Sequence, residues 1–213
     1  MENKTSHTPR VAVIGSGISG IASAAMLKKN GFQVEIYEKS DKIGGVWALA
    51  YPNVRLQNIA EQYHISDFPW PFKPDLHPTG IQILQYLQEA VKHFQLEVQL
   101  RHEITALQEE PDGWLASIQS PDGRREAHFD FVMVSNGHYS DGKNSLQFPD
   151  QDLYQGKVMT ERDLKSLDEF KGKRVAVVGF GKSAVDMADF AAQQQAAQVF
   201  HVFRTPRWMF PRQ

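Results

Sequence analysis

Two glycine-rich stretches carry the most legible chemistry in this sequence. In RVAVIGSGISGIASAAM, from Arg10 to Met26, Gly15, Gly17 and Gly20 are spaced G-x-G-x-x-G. In KRVAVVGFGKSAVDMA, from Lys173 to Ala188, Gly179 and Gly181 repeat the first two positions and Ala184 takes the third, a replacement the pattern tolerates. Between a strand and a helix the three positions have separate duties. The first makes a tight turn, the second lets backbone approach a pyrophosphate, and the third lets helix pack close to strand. The pyrophosphate then rests on unpaired N–H groups at the positive end of the helix. Two such turns imply two dinucleotides.

The residue ending the second strand of each unit separates them. Glu38 stands at about the 20-residue remove that the fingerprint expects, where a carboxylate accepts from ribose hydroxyls and repels a 2′-phosphate. Its counterpart is read as Arg204, whose guanidinium can grip a 2′-phosphate as a bidentate fork. The first turn therefore prefers a cofactor with a free ribose, FAD or NAD, and the second prefers NADPH. A solvated strand end is the plain alternative for Arg204.

Gly44, Gly45, Val46 and Trp47 follow the first unit, and two readings stand. Either the loop plugs the core with its indole, or the glycine pair admits a flat ring system covered by backbone or Trp47. His138 and Tyr139 are the types for an acid–base pair, but no partner carboxylate is evident. Phe68, Trp70 and Phe72 alternate with prolines and read as packing, while Asp186 reads as a local cap or ion pair. There is no G-x-S-x-G elbow and no assembled Ser–His–Asp set.

The elements that must position these residues follow from periodicity. Arg10–Ile14, Ser19–Lys29 and Gln33–Tyr37 read as strand, helix and strand, a βαβ unit. Residues 40–78 are rich in glycine, proline and aromatics, and an irregular stretch of that length inside a compact protein is usually functional. Thr79 is placed to cap a helix with Ile81, Leu84, Leu87, Val91 and Phe94 on one face. Glu103–Gln108, Trp114–Gln119 and Glu126–Asp130 are strand-like runs separated by PDG at Pro111–Gly113 and Pro121–Gly123, which predicts an antiparallel meander.

Phe131–Val134 reads as a buried strand, and residues 141–170 as a loop-rich connection. Arg174–Val178, Ser183–Gln194 and Gln198–Phe203 form a second βαβ unit. A lone unit of that kind cannot cover both faces of its sheet, so the sequence reads as a truncated fragment. The expected fold is α/β, with two Rossmann-like dinucleotide-binding βαβ units, the first carrying the meander as an insertion and the second incomplete. The expected domains are 1–155 for the first dinucleotide, 156–172 as connection, and 173–213 as the start of the second domain.

Composition excludes several classes. With 41% hydrophobic and 23% charged residues, the 213-residue chain reads as an ordinary soluble globular protein. A net charge of −2 gives no reason to expect nucleic acid or an acidic membrane as partner. No apolar run approaches the roughly 18 residues of a membrane span, and MENKTSHTPR lacks a signal peptide's apolar core. The absence of cysteine rules out disulfides and thiolate sites, and the eight histidines are scattered. No metal site is expected, and a cytoplasmic location is the default. Oligomeric state is not legible.

The order of VAVIGSGISG, YEKSDKIGGVW, Gln57–Asn58, SDFPWP, VSNGHY, GKRVAVVGFGKSAVDMA and RTPRW resembles that of flavin-containing monooxygenases, from about Arg10 to Arg212. The resemblance implies FAD on Gly15, Ser16, Gly17, Ile18, Ser19, Gly20, Glu38, Lys39, Gly45, Val46 and Trp47. It implies NADPH on Gly179, Gly181, Lys182, Ser183, Ala184, Asp186 and Arg204, with Gln57 and Asn58 at the cofactors. Asn58 matches an active-site asparagine whose amide can both donate and accept.

The activity implied is reduction of FAD by NADPH, activation of O2 as a flavin hydroperoxide, and oxygenation of a small nitrogen or sulfur nucleophile. A Baeyer–Villiger ketone oxygenase is the alternative; Thr160 stands where the family's histidine follows the aromatic–glycine pair Tyr154 and Gly156, so that motif assigns the chain to neither subclass. A NADPH:flavin reductase and a non-catalytic FAD-binding fragment also remain, the family being longer than this chain. A dehydrogenase with two NAD-type sites is disfavoured by Arg204 and the GGVW loop.

Overall fold

The computed structural model describes residues 7–138 and 148–208; Tyr139 lies outside them. Nine strands and three α-helices are present among the described residues. Strand β1 (Arg10–Ile14) buries Val11, Ala12 and Val13, and leads through the first glycine turn into helix α1 (Ile18–Lys29). Strand β2 (Gln33–Glu38) returns parallel to β1, with Ile14 opposite Tyr37. After helix α2 (Gly80–His93), strand β3 (Glu97–Leu100) extends the same sheet beside β2. Strands β4 (Glu103–Glu110), β5 (Gly113–Ser120) and β6 (Gly123–Phe129) form an antiparallel meander. Strand β7 (Phe131–Val134) then rejoins the parallel sheet, whose order is β3-β2-β1-β7.

Alternation along β1 and β2 divides the sheet into two faces. On one, Ala12 and Tyr37 meet Ala116, Ile118 and Phe129 of the meander, with the Tyr37 and Phe129 rings edge-on at 5.8 Å. The other presents Val11, Val13, Val34 and Ile36, all buried. Helix α1 packs against β1, β2 and β7, and its buried positions are the small or branched Gly20, Ile21, Ala24 and Ala25.

The chain divides into two compact units, Met1–Ala48 with Asn58–Asp141, and Leu49–Gln57 with Gly142–Gln213. In the second, strand β8 (Arg174–Val178), helix α3 (Lys182–Gln193) and strand β9 (Gln198–Val202) form a parallel βαβ unit. Its core gathers Leu164, Phe170, Val177, Met187 and Ala191 around Tyr51, which arrives from the segment Leu49–Gln57.

Three expectations change. Strand β3 had no sequence signal, because Glu97–Leu100 is short and alternates weakly. Ile81 is 79% exposed, and the buried face of α2 is Ile83, Tyr86, Leu87 and Ala90, of which Leu87 belongs to the expected stripe while Leu84, Val91 and Phe94 are half-buried. Strand β7 is not buried: Phe131 is 55% and Val134 60% exposed, since β7 lies at the edge of the sheet.

Thr79 does cap α2, reciprocally with Gln82 as a capping box. Phe68, Trp70 and Phe72 do pack, Trp70 lying 4.5 Å from the Tyr86 ring and donating its indole N–H to the Ala60 carbonyl. Tyr86 pins this irregular segment, because its hydroxyl accepts from Ile65 N–H and donates to the Phe68 carbonyl, both at 2.7 Å.

Tyr86→Phe leaves both backbone groups buried without that partner. It is expected to cost about 2–4 kcal/mol in urea unfolding, with helix content unchanged by circular dichroism. A loss under about 0.5 kcal/mol would remove the pinning role.

Candidate functional site

The first turn is built on backbone that side chains would obstruct. Gly15 has φ +103°, and its N–H donates to the Tyr37 carbonyl at 2.8 Å. A Cβ on Gly20 would come within 1.9 Å of the Gly15 carbonyl oxygen, so the helix sits on the turn with no room for a methyl group. Gly17 is the N-cap of α1, makes no side-chain cap, and is followed by no acid in the first turn. The free N–H groups of Ile18 and Ser19 therefore stand at an unopposed positive helix end.

The GGVW loop closes over this turn. Gly44 N–H donates to the Ser16 carbonyl at 3.0 Å, and a Cβ on Gly45 would lie 3.1 Å from the Gly17 Cα. The two glycines thus let one backbone approach another. Val46 is exposed, and Trp47 is half-buried, its indole donating to the Tyr63 hydroxyl at 2.9 Å. Burial pushes the Tyr63 phenol up to about 12 despite that bond.

Glu38 has a duty that its sequence position does not disclose. One carboxylate oxygen accepts from Ser16 N–H and hydroxyl at 2.9 and 2.8 Å, and the other accepts from Ser40 N–H and hydroxyl at 2.9 and 2.8 Å. A carboxylate has about four lone-pair directions, and protein donors use all of them. A ribose hydroxyl reaches Glu38 only by replacing a serine hydroxyl. Burial alone would raise this carboxyl, but the Ser40 and Ser16 donors outweigh it and hold it below the usual range. Lys39, the next residue, is exposed.

The second turn repeats the backbone plan. Gly179 has φ +126°, and its N–H donates to the Val202 carbonyl at 2.9 Å. Gly181 is the uncapped N-cap of α3, again with no acid in the first turn. Here the third position tolerates a methyl group, because the Ala184 Cβ lies 3.6 Å from where a Gly179 Cβ would be. The strand registers correct one assignment. Ile14 pairs with Tyr37 and Val178 with Val202, so Phe203 occupies the place of Glu38, and Arg204 that of Lys39. Arg204 is exposed just past β9 and does not end the strand.

Sequence reasoning missed an aromatic cluster at this turn. The Phe180 and His201 rings stack at 5.3 Å, Phe203 lies 4.5 Å from Phe180, and His201 Nε2 bonds the Gly179 carbonyl at 2.7 Å. The i, i+2 spacing of Val199 and His201 on β9 and of Phe203 just past it was the available signal. Lys182 and Asp186 pair one helical turn apart, and Asp186 also accepts from the Tyr51 hydroxyl at 2.8 Å.

Gln57 and Asn58 are both exposed. The Asn58 side chain donates to Gln62 at 3.2 Å, and the Asn58 backbone carbonyl lies 3.2 Å from His77 Nδ1. Thr160 is held locally, donating N–H and hydroxyl to Asp163 at 2.8 and 2.9 Å. One histidine gathers acids that the sequence had not grouped: His128 Nε2 lies 3.4 Å from Asp112 and 3.7 Å from Glu110, at the end of the β4–β5 hairpin. An open depression of about 570 Å3 beside α1 is lined by Ala22, Met26, Leu27, Phe32 and Met133 with the polar Ser23 and Asn30, and offers no titratable group. Among the described residues, no helix is long and apolar enough to cross a membrane.

Comparison with known proteins extends this geometry. The model of the flavin-binding monooxygenase-like family matches residues 8–213. A putative flavin-containing monooxygenase 2 from Arabidopsis thaliana is 34% identical over 98% of this chain and 54% of its own length. The solved S-allyl-L-cysteine S-oxygenase from Allium sativum superposes with TM-score 0.81 and 26% identity, over 96% of this chain and 53% of that one. A steroid monooxygenase bound to NADP superposes with TM-score 0.75 and 25% identity, over 91% of this chain and 38% of that one. The chain spans about half the length of the curated relatives it matches.

The depressed Glu38 carboxyl has a definite sign. Its ionised form contributes stability above the ordinary value of 4.5, and that contribution is lost as pH falls through the lower folded value. Glu38→Gln should therefore be less stable than the parent by about 2 kcal/mol at pH 7, with the gap shrinking in acid. Urea unfolding from pH 7 to pH 3 checks it, and a gap independent of pH would exclude the carboxylate as the cause.

Proposed function

The chain belongs to the flavin-binding monooxygenase-like family, and from that premise we propose that its first glycine turn holds FAD and its second NADPH. The protein is then an NADPH-dependent flavoprotein that oxygenates a small nitrogen or sulfur nucleophile. The observation that carries this reading is the state of the helix ends. Helix α2 is capped twice by its own side chains, whereas α1 and α3 each open on a glycine with no cap and no acid in the first turn. Such ends favour anionic groups. The glycines at Gly15, Gly17, Gly20 and Gly45 let turn, helix and loop pack backbone against backbone, and the uncapped ends of α1 and α3 keep N–H groups for a pyrophosphate to accept, so the residues present fit the group.

Gly15, Ser16, Gly17, Ile18, Ser19 and Gly20 would present the turn to the FAD pyrophosphate. Glu38 holds Ser16 in place and meets the ribose by exchanging a serine hydroxyl. Gly45, Val46 and Trp47 cover the turn, the indole direction being set by Tyr63. At the second turn Gly179, Gly181, Ser183 and Ala184 would take the NADPH pyrophosphate, and Arg204 the 2′-phosphate. Phe203 places no carboxylate where the first turn has Glu38, so nothing at that position repels the extra phosphate. Bound FAD, once reduced by NADPH, supplies the oxygen-activating chemistry. Asn58 orients the cofactors through an amide that both donates and accepts. These residues orient and desolvate, and the cofactor carries the redox step.

The first test is an anaerobic titration of the FAD-loaded chain with NADPH, followed by visible absorbance. Bleaching supports two communicating sites, and failure of flavin to bind overturns the FAD assignment. Arg204→Glu is expected to shift preference from NADPH toward NADH by about tenfold or more; an unchanged ratio removes Arg204 from the 2′-phosphate. Asn58→Ala is expected to keep NADPH oxidation while cutting oxygenated product roughly a hundredfold, the oxygen appearing as hydrogen peroxide. Full coupling in that variant would end the proposed role.

A further inference from the structure

Lys182 is the first residue of α3, directly after Gly181, where a cation invites assignment as a phosphate ligand. Its ammonium is already engaged. It pairs with Asp186 one turn along the helix, and the two side chains are only 26% and 14% exposed. Asp186 accepts in addition from the Tyr51 hydroxyl at 2.8 Å. Tyr51 is 7% exposed and packs edge-on against Phe190 at 6.4 Å. Burial and the Asp186 carboxylate push its phenol well up, so it remains a neutral donor. Asp186 is thus the point at which the segment Leu49–Gln57 is fastened to α3.

The order of the pair is unusual for helix stability. A cation in the first turn with an acid four residues later opposes the macrodipole, and it is the weaker orientation for such pairs. A buried carboxylate one turn from the helix start would also repel an anionic ligand there. Both features have one explanation. We propose that Lys182 is the counter-ion that masks the Asp186 anchor from an anionic dinucleotide at the second turn, and is not itself a ligand of the phosphates. This rests on the assignment of NADPH to that turn. Lys182 is a positioning residue, acting on the dinucleotide only through Asp186.

Dissociation constants for NADPH, measured by calorimetry on the chain, decide the matter together with melting temperatures. Lys182→Gln uncovers the carboxylate and is expected to weaken NADPH about tenfold. Asp186→Asn is expected to bind NADPH as tightly as the parent or more so, but to melt lower because the Tyr51 fastening is weakened. The double variant Lys182→Gln with Asp186→Asn is expected to bind within about threefold of the parent, because anchor charge and mask are removed together. Asp186→Ser, which keeps a hydroxyl for Tyr51, serves in the same cycle if the asparagine variant does not fold. A double variant as weak as Lys182→Gln alone would overturn the proposal, since it would mean that the ammonium touches phosphate. If the unaltered chain binds no NADPH, the assignment of the second turn falls and this inference falls with it, a result distinct from a failed rescue.

Discussion

Glu38 stands where the glycine turn, the end of β2, the GGVW loop and the approach to β4 converge. Its carboxylate takes four donors from Ser16 and Ser40, and its carbonyl accepts from His102 N–H at 2.9 Å. Ser40 in turn accepts from Arg101 N–H at 2.9 Å. A buried charge is tolerable only when such partners surround it. The local backbone must therefore hold both serines in reach, and that requirement keeps the turn tight before any ligand arrives.

The same supersecondary plan is executed twice with different tolerances. At the first turn α1 rides so low on the glycine bend that Gly20 admits no methyl group; at the second, the methyl group of Ala184 stands at the corresponding position. The first turn is braced by a hydrogen-bonded carboxylate, the second by the stacked Phe180 and His201 rings with Phe203 packed against both, and by the bond from His201 to the Gly179 carbonyl. Both helices leave their first N–H groups without side-chain caps. Polar bracing suits a turn whose partner strand ends in an acid, and apolar bracing suits one whose partner strand continues into Phe203 and then a cation.

Chain connectivity adds a constraint that neither turn shows alone. Leu49–Gln57 leaves the first unit to pack with the second, and the chain returns at Asn58. Tyr51 serves both packing and polar needs there, its ring in the core of the second unit and its hydroxyl on Asp186. The residue pair expected at the cofactors, Gln57 and Asn58, falls at that return point.

What the sequence by itself determined is everything carried by local pattern: the two glycine turns, the strands on either side of each, the Thr79 cap, and a meander punctuated by two PDG turns. These features depend on backbone sterics and short-range hydrogen bonding, which neighbouring residues dictate. The tertiary structure alone decided that Phe203, not Arg204, matches Glu38, because strand register is set by pairing across a sheet. It alone decided that Glu38 is already saturated, that Ile81 faces outward, that β7 is an exposed edge, and that Tyr51 reaches Asp186. Each of these depends on which distant residues arrive as partners, and the periodicity of one segment holds no record of the surface it will meet.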